Sequence, residues 1–156
     1  MSPRFAADRM IGRLAKMLRL LGYDTVYIAN LDPAGLAELA RREDRVILTR
    51  GGTLKRYAGG ARVFKIQSEY APEQLREVVR HFSLDTKAGL WTRCTVCNGA
   101  IIAVAKERVR SAVEPQTFKL YSEFFQCSNC GRTYWRGSHV ERILKTLSWI
   151  LDSGSP

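Results

Sequence analysis

The sequence contains no apolar run near the roughly 20 residues that a helix needs to cross a bilayer. It also has no leader in which a charged stretch and an apolar stretch precede a small-residue cleavage site. Both absences predict a soluble cytoplasmic protein that contacts no membrane and whose thiols stay reduced. The 156 residues, 46% of them hydrophobic, suffice for one ordinary domain and a small appendage.

Signatures of several catalytic classes are missing as well. No Ser or Cys nucleophile motif is present, and the pairs Gly51-Gly52 and Gly59-Gly60 fit no phosphate-cradling loop. Neither of the two histidines, His81 and His139, has a nucleophile or a metal ligand at the sequence spacing of a known catalytic or metal-binding motif. We expect both to have a packing or phosphate-contact role.

Acidic residues are scarce relative to basic ones. The chain has 25 Lys and Arg against 15 Asp and Glu, which gives a formal net charge of +10 at pH 7. A field of this sign attracts polyanions, and nucleic acid is the commonest polyanion in a cell. The charge therefore predicts nucleic-acid binding, with a basic but inert surface as the alternative.

The chain has only four cysteines, and all of them fall in two matching pairs. Two residues separate Cys94 from Cys97 and Cys127 from Cys130, and 29 residues lie between the pairs. Two such knuckles present four thiolates tetrahedrally to one Zn²⁺ ion and leave no open position for a water. The spacing therefore predicts a structural zinc site, with a disulfide or redox site as the alternative.

The segment between the two pairs predicts a small β-ribbon. Residues 100–104, 118–121 and 123–125 alternate as strands do, and such a ribbon carries one knuckle at each end. A sheet of this size buries little apolar surface. We therefore expect metal binding to supply most of its folding free energy.

Strand and helix patterns alternate through the first part of the chain. The predicted strands are 5–7, 23–28, 46–49 and 62–66, and the predicted helices are 9–21, 33–42, 53–57 and one that Pro72 opens. This alternation predicts an α/β domain over residues 1–84 with a mostly parallel sheet. We expect a linker at 85–89, the zinc ribbon at 90–139 and a frayed tail at 153–156. Residues 140–152 predict a C-terminal helix docked onto the body, with partner binding as the alternative.

The first predicted helix separates apolar residues from cations. Its apolar residues share one face, whereas the other face carries four cations and no acid: Arg9, Arg13, Lys16 and Arg19. This basic stripe predicts phosphate contact, and a solvated charged face is the alternative.

Candidate ligands for a second kind of metal follow the predicted strands. In parallel α/β sheets, ligands bind beyond the carboxyl ends of the strands. Asp8 follows the first strand, Asp32 the second, and the turn Thr49-Arg50-Gly51 the third. Carboxylates there can hold Mg²⁺ or Mn²⁺, which activates water against a phosphodiester. The alternative for Asp8 and Asp32 is helix N-capping, whereas Glu43 and Asp44 stand where helix-end and turn residues do.

Several motifs follow one another along nearly the whole chain. They are Phe5-Ala-Ala-Asp8, Gly12-Arg-Leu-Ala15, Leu18-Arg-Leu-Leu-Gly-Tyr-Asp24, Arg45-Val-Ile-Leu-Thr-Arg50, Glu73-Gln-Leu-Arg76, Arg93-Cys-Thr-Val-Cys-Asn-Gly99, Cys127-Ser-Asn-Cys-Gly131 and Tyr134-Trp-Arg-Gly-Ser-His139. In this set the chain resembles the Mut7-C family, in which a PIN-like ribonuclease domain precedes a zinc ribbon. The resemblance implies RNA cleavage by a divalent metal that acidic residues hold at the carboxyl edge of the sheet.

By this resemblance Asp8 is the first ligand of the divalent metal, with Asp32 or Glu43 as a contributor. The family pattern ends its third strand with Thr-Arg-Asp, whereas this chain has Thr49-Arg50-Gly51, so one expected carboxylate is missing. Fewer carboxylates weaken the binding of Mg²⁺, a cation that dehydrates reluctantly.

Two hypotheses follow: a metal-dependent ribonuclease, and a catalytically silent RNA-binding or ribosome-associated module. RNA is the expected partner in both, with ribosomal RNA and tRNA as candidates. The expected RNA-contacting cations are Arg9, Arg13, Lys16, Arg50, Arg132 and Arg136.

Overall fold

A parallel sheet occupies the first half of the chain and a small antiparallel sheet the second. The computed structural model describes residues 1–153, so residues 154–156 of the predicted tail lie outside the described residues. The parallel sheet has the order β2-β1-β3-β4, and its strands are Phe5–Ala7 (β1), Thr25–Tyr27 (β2), Val46–Thr49 (β3) and Val63–Lys65 (β4). The antiparallel sheet consists of Ile101–Val104 (β5), Phe124–Cys127 (β6) and Thr133–Tyr134 (β7). The predicted α/β class with a mostly parallel sheet is confirmed.

The helices connect and flank these strands. Their bounds are Gly12–Leu20 (α1), Pro33–Arg42 (α2), Leu54–Tyr57 (α3), Ala71–Phe82 (α4), Pro115–Leu120 (α5) and Ser138–Asp152 (α6). The predicted helix 9–21 is interrupted, because Arg9–Ile11 forms a tighter 3-10 turn before α1 begins. Within residues 1–153, none of these helices has the length and apolarity of a membrane span.

The parallel sheet is covered on both faces, as its short apolar strands require. Side chains alternate along β1, so Phe5 joins the cluster with α1 and α4, whereas Ala6 joins the cluster with α2. Phe5 packs edge to face against Phe82 of α4, with ring centroids 5.2 Å apart. The carboxyl ends of the strands therefore open between two helical layers.

Helix α6 docks onto the first half of the chain. Leu147 and Ile150 are buried in the same cluster as Phe5. From α4, Arg76 donates a hydrogen bond to the carbonyl of Ile150 and a second one, 2.8 Å long, to the Ser153 hydroxyl. The predicted docking role of this helix is confirmed.

The prediction of a strand at residues 118–121 is wrong. Pro115 stands at the first position of α5, where its fixed φ favours a helix. Lys106 and Arg110 lie over the Phe118 ring, 4.5 and 4.6 Å from its centroid. Phe118 therefore belongs to a short helix and faces two cations of the preceding segment, instead of lying in a pleated strand.

Candidate metal centre and nucleic-acid interface

The four cysteines converge on one point. Their Sγ atoms all lie within 4.8 Å of one another. The Sγ atoms of Cys94 and Cys130 are 3.8 Å apart, and those of Cys97 and Cys127 are 3.3 Å apart. Four sulfurs held at about 2.3 Å from a tetrahedral Zn²⁺ are separated by about 3.8 Å. The cysteines are therefore able to hold a metal ion such as zinc.

Backbone geometry produces each cysteine knuckle. The N–H of Cys94 bonds the Gly99 carbonyl at 2.8 Å, and that of Cys127 bonds the Arg132 carbonyl at 2.9 Å. Each knuckle turns through a residue in the left-handed region, Asn98 at φ 70° and Gly131 at φ 74°. The antiparallel pairing of β5 and β6 places Ile101 opposite Cys127 and so brings the two knuckles together.

Despite burial, hydrogen bonds lower the pKa of Cys94 and Cys97 and so favour the thiolate, the form that binds metal. At Cys130 the backbone bond from Arg132 acts in the same direction, but burial and the neighbouring cysteines outweigh it and raise the pKa to about 11. Burial opposes ionisation of Cys97, but hydrogen bonds from Asn129 and from the Gly99 N–H outweigh it and hold the pKa of this thiol at about 6. The Tyr134 hydroxyl lies 2.9 Å from the Cys94 Sγ. Burial and the neighbouring Cys94 raise the pKa of Tyr134, so its hydroxyl stays protonated and can donate to a thiolate.

Arg19 joins the first knuckle to α1. It was assigned to the exposed basic stripe, but its side chain is 5% exposed and bonds the carbonyls of Thr25, Thr95 and Val96 at 2.8, 3.0 and 3.2 Å. Its guanidinium thus bonds one carbonyl of β2 and two carbonyls of the first knuckle. Arg19 is therefore a structural clamp and not an RNA contact.

Asn98 and Asp24 join the same knuckle to the parallel sheet. Asn98 accepts from the Thr25 N–H at 3.0 Å and donates to the Asp24 carboxylate at 2.7 Å. Asp24 also accepts from buried Arg45 at 2.6 Å. Burial works against ionisation of Asp24, but the bonds from Arg45 and Asn98 prevail and lower its pKa to about 2. The junction between sheet and knuckle is thus an ionic network.

Acidification should weaken this junction. Because the pKa of Asp24 is about 2 when folded and near 3.8 otherwise, its stabilisation is present above pH 4 and is lost as the pH falls towards 2. The difference corresponds to about 2 kcal/mol of unfolding free energy. Urea unfolding of wild type and Asp24→Asn between pH 6 and pH 2 measures it.

The matched control is Asp44→Asn, because Asp44 pairs with Arg62 at a site where its side chain is 90% exposed. We expect the gap in stability between wild type and Asp24→Asn to close on acidification, and Asp44→Asn to follow wild type throughout. A gap that stays constant from pH 6 to pH 2 would contradict the assignment of the low pKa to Asp24.

Asp8 and Thr49 meet at the carboxyl end of the parallel sheet. One carboxylate oxygen of Asp8 accepts from the Arg9 N–H at 2.7 Å, as an N-cap does, and the other accepts from the Thr49 hydroxyl at 2.8 Å. The Thr49 hydroxyl in turn accepts from the Gly51 N–H at 3.0 Å. Asp8 thus stands where a metal-binding carboxylate was expected, and it also caps the 3-10 turn.

The other two predicted acids do not join Asp8. Asp32 caps α2 by accepting from the Gly35 N–H at 2.8 Å, and among residues 1–153 no hydrogen bond or ion pair links it to Asp8. Glu43 precedes β3, so it lies at the opposite, amino end of the sheet, where it binds Arg45 at 2.7 Å. Glu43 therefore does not lie with Asp8 at the carboxyl edge.

Sequence reasoning missed a further acid at the carboxyl end. Glu69 follows β4 and pairs with Arg50 at 3.3 Å. With Arg13 and Tyr70 it lines an open cavity of about 360 Å³. Its place after a parallel strand was the signal that could have found it. Even so, within residues 1–153 only the four cysteines form a group of three or more metal-binding side chains.

The expected RNA contacts are divided between the two halves of the chain. Arg9, Arg13 and Lys16 are exposed, and Arg50 is partly buried beside Glu69. Arg132 and Arg136, in the second half of the chain, are exposed too. Among all these cations only Arg50 forms an ion pair within residues 1–153. The others are available to phosphates.

Comparison with known proteins gives one family and one relative. The family described as Mut7-C RNAse domain matches residues 3–147. The human protein named Exonuclease mut-7 homolog is 37% identical over 101 residues, which are 61% of this chain and 12% of that protein. The chain thus spans only about 12% of the length of this curated relative. No solved structure matches the chain significantly.

Proposed function

We propose, because this chain belongs to the Mut7-C RNAse domain family, that it binds RNA over the carboxyl end of its parallel sheet without hydrolysing it. The exposed cations of the 3-10 turn and of α1 bind phosphates next to Asp8. Position 51, where the resemblance expects a carboxylate, is glycine. The chain is an RNA-binding module derived from a nuclease, with single-stranded regions of ribosomal RNA or tRNA as candidate ligands.

One observation carries this proposal: among residues 1–153, Asp8 belongs to no group of three or more metal-binding side chains. Both of its oxygens accept hydrogen bonds, from the Arg9 N–H and the Thr49 hydroxyl. Mg²⁺ requires near-octahedral oxygen ligation and gives up its bound waters reluctantly. A single carboxylate that already accepts two hydrogen bonds therefore binds it weakly. A divalent metal would supply an activated water here, but the residues of this chain would bind such a metal too weakly.

We further propose that the ion held by the four cysteines is a structural zinc. The four thiolates complete a tetrahedral sphere, so no position is left for a substrate or a water. Through Arg19 and Asn98 the metal-bound knuckle keeps the second half of the chain in a fixed place against the sheet.

A second candidate function is a nuclease in which Glu69 replaces the missing carboxylate. The ion pair with Arg50 supports it, because it brings Glu69 to the end of β3, where Gly51 also lies. In this case wild type cleaves RNA in Mn²⁺, and both Asp8→Ala and Glu69→Gln abolish cleavage.

RNA binding is tested by reversing two charges of α1. Replacing Arg13 and Lys16 together with Glu should weaken binding of a single-stranded RNA about tenfold or more, because phosphate contacts are lost. The plot of log affinity against log salt should flatten by about 0.7 for each contact removed. Fluorescence anisotropy in EDTA at several KCl concentrations measures both quantities.

The control carries the same change of charge elsewhere. Lys119 and Lys145 are exposed and do not line the cavity next to Glu69. Replacing both with Glu should leave the slope close to that of wild type. If the Arg13 and Lys16 variant keeps the affinity and slope of wild type, α1 has only a solvated charged face.

A further inference from the structure

A second cavity lies where α1, the cysteine-bearing segment and α6 meet. Its volume is about 330 Å³, and its walls include Lys16, Trp91, Tyr134, Trp135 and His139. We propose that this junction cavity holds one unstacked base of a single-stranded RNA. The inference rests on the proposed RNA binding and adds to it a place where a base, rather than a phosphate, is bound.

Trp91 is held in a costly conformation at this cavity. Its φ of 62° is an outlier for a bulky side chain, and its backbone N–H bonds the Leu20 carbonyl at 3.1 Å. Such strain persists where the surroundings fix it, and it clusters at binding sites. The Trp91 ring packs edge to face against Tyr134, with centroids 6.2 Å apart. The strained backbone of Trp91 therefore places its ring beside Tyr134 in one aromatic wall of the cavity.

The same tryptophan has an unused hydrogen-bond donor. Its indole Nε1–H is buried and has no partner among residues 1–153. A buried donor without an acceptor is unfavourable, and most such groups in native proteins find a partner or a bound molecule.

Size, ring chemistry and charge favour a base over an apolar peptide. Three aromatic side chains line the cavity, and every base has a π-face that stacks on such rings. The walls also carry Lys16 and His139, and no acid is among the lining residues. With a net charge of +10, the protein attracts an anionic strand to this opening.

Helix α1 connects this cavity with the carboxyl end of the sheet. Arg13 lines the cavity next to Glu69, and Lys16 lines the junction cavity. Residues three apart share one helix face, so the two cations form a continuous path. At about 1.5 Å per residue, Lys16 lies about 4.5 Å along the helix axis from Arg13. A base in the junction cavity therefore places the following phosphates on α1.

The experiment compares two RNA hexamers, one complete and one without bases, on the full-length protein. Wild type should bind the complete hexamer at least about fivefold more tightly than the abasic one. Trp91→Gly removes the ring and relieves the left-handed backbone, so in this variant the ratio should fall towards one. Trp149→Ala is the control, because Trp149 is 67% exposed on α6 and lies outside the cavity. Zinc content and circular dichroism confirm that each variant is folded.

Three results would overturn the proposal, and they differ in what else they overturn. Equal binding of both hexamers by wild type, a result that needs no variant, overturns the base site and leaves RNA binding intact. Binding of neither hexamer overturns the base site together with the proposed function. In the third result, Trp91→Gly leaves the ratio of the two affinities unchanged and Trp149→Ala lowers it. This would place base stacking on α6 and contradict the assignment to the junction cavity.

Discussion

Replacing Cys97 with serine should release the bound metal and unfold the antiparallel sheet. A hydroxyl is a poor zinc ligand, and structural zinc sites contribute roughly 10–16 kcal/mol of apparent folding free energy in small domains. The sheet has little else to hold it, because between residues 98 and 137 the buried apolar side chains are few, Val109 and Phe124 among them. Zinc content should fall from one ion per chain towards zero, as a metal assay on the purified protein measures.

Ser128→Ala is the matched control for this variant. Ser128 lies in the second knuckle and is exposed, and its backbone N–H bonds the Ala100 carbonyl, so loss of its side chain leaves the pairing unchanged. It should keep one zinc ion and the far-ultraviolet spectrum of wild type. Stoichiometric zinc in Cys97→Ser would contradict the four-cysteine assignment.

Gly51→Asp should create metal-dependent RNA cleavage where wild type has none. A Cβ at position 51 meets only the Thr49 Oγ1, at an ordinary 3.6 Å, and the backbone there is not left-handed, so the side chain fits. Asp8 already accepts from that same hydroxyl. The new carboxylate would therefore lie near Asp8, and two carboxylates can hold Mg²⁺ or Mn²⁺ where one cannot.

The expected gain in cleavage rate is about a hundredfold or more, since a metal that activates water contributes several kcal/mol to the transition state. Gly51→Asn is the control, because it has nearly the same shape without the charge and should stay inactive. Adding Asp8→Ala to Gly51→Asp should remove the activity. Equal cleavage by Gly51→Asn and Gly51→Asp would mean that the carboxylate is not the missing part.

Local patterns predicted much of the fold, and the family match confirms the resemblance drawn from separate motifs. Strand β3 was predicted with its observed bounds, because Val46–Thr49 is a short apolar run between a helix end and a glycine turn. Helix α2 was equally clear, since Asp32 and Pro33 mark its start. The division into 1–84, 90–139 and 140–152 stays a prediction.

The errors came from contacts between residues distant in sequence. A helical wheel placed Arg19 with the exposed cations, but three carbonyls from β2 and the first knuckle draw its guanidinium inside. Glu43 was grouped with Asp8 through the family resemblance, although it precedes a strand and Asp8 follows one. Glu69 was overlooked because it lies beyond the end of β4, and its ion pair with Arg50 is seen only in the structure.

The central claim is that the protein binds RNA and does not cut it. The most direct measurement is RNA binding by wild type in EDTA over a range of KCl, followed by gel analysis of the same RNA after Mn²⁺ is added. The account predicts an affinity that falls linearly with salt on logarithmic axes and an RNA that stays intact. Cleavage that Asp8→Ala abolishes would contradict the account and establish a nuclease, and an absence of binding in low salt would refute RNA as the ligand.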